Sequence, residues 1–311
     1  MEIPSRQWCQ KRMIIATHRT IFFWITGIVL AGAIAAIVFY GLPLSIDFTG
    51  GSLMQVRYSN GRPALSEIQA QIAPVSVGAV SVRESGTDAI VIRTRTLEPE
   101  EHNAVLAAVS KNASTTELSY SSIGPALGSQ FANKALWAIG AVTLAIMLYI
   151  AFAFRKVSRP VPSWCYGITV VACLAHDLII PAGFYAIFAH FTGVEVDALF
   201  ITALLALLGY SVNDTIIIFD RVREHLANNE KTNNKEPFEE TIGKSIAETM
   251  TRSINTSLTV VLALLALVFF GAAATRDFAW VMLVGVIAGT YSSILLAAPL
   301  LIPFARYFAK K

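Results

Sequence analysis

Apolar residues fall in long unbroken runs rather than in the short alternations of a soluble core. A bilayer hydrocarbon core about 30 Å thick needs about 20 such residues in a helix. Six stretches reach that length: Ile21–Gly41, Lys134–Phe154, Trp164–Phe188, Ala198–Phe219, Ile254–Ala274 and Phe278–Phe304. Between the first and the second the pattern changes. Ser52–Tyr58 alternates like a half-buried strand. Ser66–Ala73 reads as a short helix, and Val77–Arg83 and Ala89–Arg95 as strands. Pro99–Lys111 reads as a helix, with Glu98, Glu100 and Glu101 at the end where the helix dipole favours acids. Thr115–Ser121 closes with a strand. The order β-α-β-β-α-β predicts a small ferredoxin-like α+β domain, a fold that hosts many functions and names none. The expected fold class is an α-helical membrane protein of six transmembrane helices, with one soluble domain inserted over residues 42–133. Residues 1–20 precede the first span, residues 134–304 form the remaining bundle with a loop at 221–252, and residues 305–311 are a tail.

Composition agrees with this division. Of 311 residues, 55% are apolar and only 14% charged, and the mean hydropathy is +0.58. Soluble domains usually carry about 25% charged residues. A net charge of +3, spread along the chain, argues against nucleic acid as a partner. Cys9, Cys165 and Cys173 are too few for a disulfide framework and lack metal-ligand spacing. Cys165 and Cys173 stand too far apart on one helix to bridge each other and read as small apolar fillers. No Ser/His/Asp, Cys/His or phosphate-loop constellation occurs in the insertion, so no enzyme activity and no metal are expected. The first apolar run exceeds the roughly 7–15 residues of a signal peptide, which predicts a retained helix. Lys and Arg set orientation. Arg6, Lys11, Arg12 and Arg19, then Arg155, Lys156 and Arg159, then the stretch from Arg221 to Arg252, then Arg306, Lys310 and Lys311 fall on one side. Both termini are therefore expected in the cytoplasm and the insertion outside it.

Ionisable residues inside the spans are the most informative positions. A carboxylate at a bilayer centre costs about 2.5–3.5 kcal/mol on insertion scales. The third span carries His176 and Asp177, and the fourth carries Tyr210, Asn213 and Asp214 before Asp220 and Arg221. The fifth opens with Arg252, Asn255, Thr256 and Thr259. Steps of three and four predict one polar face with Tyr210, Asn213, Asp214, Ile217 and Arg221, and another with Arg252, Asn255, Thr256 and Thr259. Two such faces can meet and hold water. One reading has Asp214 taking up and releasing a proton, with Arg252 as a switchable counter-charge, because nearby opposite charge and desolvation push a carboxyl in opposite directions. The other is a permanent ion pair locking two helices; spacing leaves both open. Asp220, Arg221, Arg223 and Glu224 read as an exposed helix end. His176 serves either as a hydrogen-bonded packing residue or as a relay, and His18, His102, His190 and His225 receive no role. Gly285 and Gly289 have the small-xxx-small spacing of close helix packing, read as intramolecular. Phe238, Ile242, Ile246 and Met250 form an apolar stripe that predicts a helix lying at the membrane interface.

Ile46-Asp-Phe-Thr-Gly-Gly51 resembles the D-F-T-G-G signature of the SecD and SecF family of protein-export subunits. Ala175-His-Asp177, the segment Gly209 to Glu224, and Arg252-Ser-Ile-Asn-Thr-Ser257 are similar to segments of the SecF branch, in the same order. The pair Asn213-Asp214 together with Arg252 fits that branch better than the SecD branch. The likeness runs from about Ser45 to the C-terminus. It implies half of an RND-superfamily transporter, working with SecD as the other half and associating with the SecYEG channel and YajC in the bacterial inner membrane. It further implies use of the proton motive force, with no bound cofactor, to complete export of unfolded preproteins. The family's proton pathway carries over to Asp214 and Arg252, with Asn213 beside them, and Asp177 matches a further family position. Asp47, Phe48, Gly50 and Gly51 are implied to shape the junction between the first helix and the periplasmic domain, where two glycines suit a conformation or close contact that a side chain would obstruct. Phe219 departs from the small polar residue common in the family.

Two other function classes compete. An RND-type exporter of lipids or amphiphiles would need a substrate cleft and a larger outside domain. A purely structural subunit stabilising SecD or the channel would tolerate a neutral residue at Asp214.

Overall fold

The computed structural model of the chain describes residues 18–111, 113–155 and 160–309. In chain order, α1 (Arg19–Tyr40) leads to the one-turn α2 (Ile46–Thr49), β1 (Gly51–Tyr58), α3 (Leu65–Ile72), β2 (Ser81–Ser85), β3 (Ala89–Thr94), α4 (Pro99–Val109) and β4 (Thr115–Ile123). Then come α5 (Pro125–Ala153), α6 (Ser163–Thr192), α7 (Ala198–Lys231), α8 (Phe238–Phe270) and α9 (Ala273–Ser292), and a π-helical turn (Ser293–Ala297) leads into α10 (Ala298–Ala309). Among the described residues six helices are long and apolar enough to cross a membrane, so this is a multi-pass membrane protein. Cys9 and the basic residues Arg6, Lys11, Arg12, Lys156, Arg159, Lys310 and Lys311 lie outside the described residues. The described residues form two compact units, one within residues 1–42, 138–191 and 199–311, the other within residues 43–137 and 192–198.

In the helical unit, α6, α7 and the sixth span are the most buried helices, while α1 carries exposed Trp24, Val38 and Phe39. Such apolar exposure suits a helix whose backbone is satisfied internally and whose side chains meet lipid. The core includes Ile150, Val170, Leu174, Leu301 and Ile302 together with Phe154, Tyr166 and Phe219. Phe154 and Tyr166 stack at 5.3 Å, and Phe219 meets Tyr166 edge-on at 5.2 Å. The unexpected phenylalanine is thus an interior packing residue. Cys165 and Cys173 are buried and unbridged.

At 34 and 33 residues, α7 and α8 run about 50 Å each at 1.5 Å per residue, well beyond a hydrocarbon core. The region anticipated as a loop, 221–252, is therefore mostly helix, with Arg221 and His225 paired to Glu248 across the two extensions. The expected interfacial helix is not separate: Phe238 to Met250 is the first part of α8. Ile242 and Ile246 are fully buried in the bundle core, because the stripe meets apolar side chains of neighbouring helices rather than lipid.

The second unit holds an antiparallel sheet in the order β2-β3-β1-β4, the ferredoxin-like arrangement. Met54, Val56 and Tyr58 alternate onto one face and pack with Ile68 and Ile72 of α3 and Val105 and Val109 of α4. Glu101 accepts from the Glu98 backbone N–H at 3.0 Å and pairs with Arg95 through both oxygens, at 2.5 and 2.8 Å. That places acid where the α4 dipole favours it. The second strand begins at Ser81, not Val77. Val77 is instead fully buried in the preceding turn, followed by Gly78 at φ +79°.

Candidate functional site

Among the described residues, two buried carboxyl groups lie within the helical unit. Asp177 on α6 is 1% exposed. His176 Nδ1 stands 2.8 Å from its Oδ1, Ser292 donates to Oδ2 at 2.9 Å, and Ser211 of α7 donates to the same oxygen. Glycines permit this convergence. A Cβ on Gly285 would stand 2.2 Å from Leu207, and one on Gly289 would stand 3.0 Å from Ser211 Oγ. The Gly285–Gly289 spacing therefore packs α9 against α7 and sets Ser292 over Asp177.

Asp214 on α7 is 5% exposed. Ser257 of α8 donates to its Oδ2 at 3.5 Å, and Ser257 in turn accepts from Tyr210 at 3.2 Å and from Thr290 at 2.7 Å. A carboxyl group held among rotatable hydroxyls can keep, give up or pass on a proton, since each hydroxyl both donates and accepts. The sixth span serves both sites. Thr290 reaches Ser257 and Ser292 reaches Asp177, while Ser293 pairs with Thr215 at 2.9 Å and donates to the Ser211 carbonyl at 3.3 Å. Ser293 is the first residue of the π-helical turn, and Ser292 directly precedes it. Such turns recur at functional sites and re-aim side chains relative to a regular helix.

The predicted faces are only partly those observed. Asp214 points inward, but Asn213, about 100° round the helix, is exposed. Arg252, Asn255, Thr256 and Thr259 are exposed, and the polar face of α8 turned into the bundle is Thr249, Ser253 and Ser257. Among the described residues no salt bridge within 4 Å joins Asp214 to Arg252. Arg252 lies exposed on α8, and the smaller Ser253 and Ser257 fill the buried side of that helix. Sequence spacing assigns no role to Ser211, Ser257, Thr290 and Ser292, because hydroxyls placed opposite carboxyls on other helices leave no periodic signal along the chain.

The Asp47–Gly51 signature lies in the second unit. Ser45 caps α2, accepting from the Asp47 N–H at 3.2 Å. Asp47 Oδ2 accepts from the backbone N–H of Ala198, the first residue of α7, at 2.8 Å, so it caps that helix. Gly50 and Gly51 have φ of +72° and +124°. A Cβ would lie 2.7 Å from Pro125 Cα at Gly50 and 2.6 Å from the Thr94 carbonyl oxygen at Gly51. Phe48 is buried and its ring lies 5.5 Å from that of Phe131. Among the described residues no cluster of three or more His, Cys, Asp or Glu is placed to hold a metal ion.

Comparison with known proteins adds the family context. Residues 102–306 match the family described as protein export membrane protein SecD/SecF, C-terminal, and residues 35–61 match the SecD/SecF GG motif. The protein translocase subunit SecF of Thermobaculum terrenum is 38% identical over 300 residues, covering 93% of this chain and 92% of the relative. The subunit of the same name from Anaerolinea thermophila is 36% identical over 292 residues, covering 93% and 92%. Among solved structures, SecDF of Thermus thermophilus, a translocon-associated membrane protein, superposes with a TM-score of 0.79 at 29% identity. That match covers 94% of this chain and 38% of the other. A SecDF structure in a super-membrane-facing form gives 0.64 at 27% identity, covering 96% and 39%.

Proposed function

The chain belongs to the SecF family of protein translocase subunits, and from that premise we propose that it converts the proton motive force into late-stage movement of preproteins across the bacterial inner membrane. Match to SecF relatives over nearly their whole length favours this reading over an exporter of lipids or amphiphiles. In this proposal SecD supplies the other half of the transporter, as the coverage of well under half of the SecDF chain suggests. The SecYEG channel, YajC and the unfolded preprotein complete the assembly. The chain itself catalyses no reaction and needs no cofactor beyond the proton gradient. Both termini face the cytoplasm, and the α+β domain is periplasmic.

The observation that carries the reading is Asp214, a carboxyl group 5% exposed within a bundle of spanning helices and joined to Tyr210 and Thr290 through Ser257. Asp214 holds the proton. Arg252, exposed on α8 and unpaired with it, approaches or withdraws as counter-charge, and Asn213 faces outward, where a second half of the transporter would meet it. Asp177 supplies a second buried carboxyl behind the same helix. One charge crossing 100 mV is worth about 2.3 kcal/mol, enough to move a two-state equilibrium about fiftyfold. Coupling requires two states of the protein that differ in proton affinity. The test is export by the chain reconstituted with SecD and the channel. Asp214→Asn or Arg252→Met should leave assembly with SecD intact and abolish the increment due to a proton gradient. Normal proton-driven kinetics in either variant would falsify the assignment.

A further inference from the structure

The five residues between α6 and α7 form no simple turn. Two helices of a hairpin can be joined by about 2–8 residues without outside help, yet this connection is fastened throughout to the α+β unit. Val196 bridges Leu44 in parallel, donating to the Pro43 carbonyl at 2.7 Å and accepting from Ser45 N–H at 2.8 Å. Glu195, its side chain only 12% exposed, pairs with Arg93 of β3 at 2.8 Å and with Arg83 of β2 at 3.0 Å. Arg83 also donates to the Gly193 carbonyl at 2.7 Å, and Arg93 donates to Thr49 at 2.8 Å. Asp47 then caps Ala198. Charge-assisted pairs in partial burial are the stronger class of hydrogen bond, and here two arginines converge on one carboxylate.

We propose that this clasp couples displacement of the α+β domain to the buried carboxyl groups, with Glu195, Arg83, Arg93 and Asp47 as positioning residues. The inference rests on the proton reading above. Its physical basis is the chain path. Asp177 precedes Thr192 and Asp214 follows Ala198 by about four helical turns each, some 22–24 Å along α6 and α7 at about 1.5 Å per residue. The domain is also joined to α1 along the chain, and to α5 along the chain and through Phe48 against Phe131. A domain held only there could shift while the α6–α7 hairpin stayed still. With the hairpin tip gripped by the sheet and by the signature, any such shift pulls on the two helices that carry both carboxyls. The Asp47–Gly51 turn thereby gains a second duty, since Asp47 and Thr49 join the grip directly.

The experiment uses the full chain reconstituted with SecD and the channel. Glu195→Ala should lower the proton-driven increment of export about tenfold, within the roughly 5–150-fold range of typical coupling. It should leave copurification with SecD and protease resistance of the domain unchanged. A disulfide from Leu44→Cys with Val196→Cys, at positions opposed across the bridge and so within disulfide reach, should restore the increment in the Glu195→Ala background when oxidised and lose it again on reduction. Full export by Glu195→Ala while Asp214→Asn abolishes the increment overturns the clasp and leaves the proton reading standing. A loss that the oxidised tether does not restore also overturns it, since Glu195 then only stabilises. If Asp214→Asn keeps the increment, the proton reading fails instead.

Discussion

Replacing Gly51 with alanine separates two constraints on the signature that sequence alone runs together. The residue sits at φ +124°, and an added Cβ would stand 2.6 Å from the Thr94 carbonyl oxygen and 3.3 Å from Ile46 Cγ2. Thr94 ends β3 and is paired with Ser52 of β1, so its carbonyl cannot retreat without opening the sheet. Backbone strain of this type costs about 1–3 kcal/mol, and overpacking costs about 1–3 kcal/mol more. The sum, roughly 2–6 kcal/mol, is a large share of the roughly 5–15 kcal/mol that holds a typical protein together. Two controls divide it. Gly61 has φ +89° with open space around it, so alanine there meets strain alone. Gly128 has no unusual φ, but a Cβ would lie 2.7 Å from Gly50 N, so alanine there meets steric conflict alone. Thermal unfolding of the full chain in detergent, followed by proteolysis within the α+β domain, should rank Gly51→Ala as the most damaging of the three. Equal stability of Gly51→Ala and Gly61→Ala would refute the close approach to Thr94 as the reason for the second glycine.

Other consequences can be checked in the same preparations. Ser292→Ala removes a donor 2.9 Å from the Asp177 carboxyl group and should cost about 1–3 kcal/mol in thermal unfolding, whereas no loss would mean that the hydroxyl is not holding that group. Ile246→Ala should cost about 2–5 kcal/mol, because the side chain is fully buried among helices; a membrane-surface position would tolerate it. Glu101 is held down from 4.5 to about 2, first by its hydrogen bond from Arg95 and then by that from the Glu98 backbone N–H. A carboxyl group lowered on folding contributes stability that is present above its unfolded value and lost as pH falls towards its folded one. Acid titration of the domain's protease resistance should therefore fall between about pH 4.5 and 2, with a shallower decline in Glu101→Gln.

Much of the architecture is legible because it follows from local periodicity. Apolar runs mark the spans, and alternation in Gly51–Tyr58 and Ala89–Thr94 marks strands that turn Met54, Val56 and Tyr58, and Ile90 and Ile92, into one core. Ends are harder to place. Helix α5 starts at Pro125, ahead of the apolar run, because Ser129, Gln130 and Asn133 lie on helix that has no hydropathic signature. The stripe at Phe238, Ile242, Ile246 and Met250 has the right period, but periodicity cannot say whether lipid or protein covers it. The same limit applies to the site. The cost of burying Asp177 and Asp214 singles them out directly. Their partners Ser211, Ser257, Thr290 and Ser292 are small hydroxyls on other helices, and only packing set by Gly285 and Gly289 brings them together. Glu195, an ordinary loop acid in sequence, becomes informative once Arg83 and Arg93 are seen to meet it.

The most direct test of the central claim is infrared difference spectroscopy of the reconstituted complex as a proton gradient is imposed and discharged. The account predicts a protonated-carboxyl carbonyl band that appears and disappears with the gradient and is missing in Asp214→Asn. A band unchanged by that substitution, or no carboxyl response while export proceeds, would contradict it.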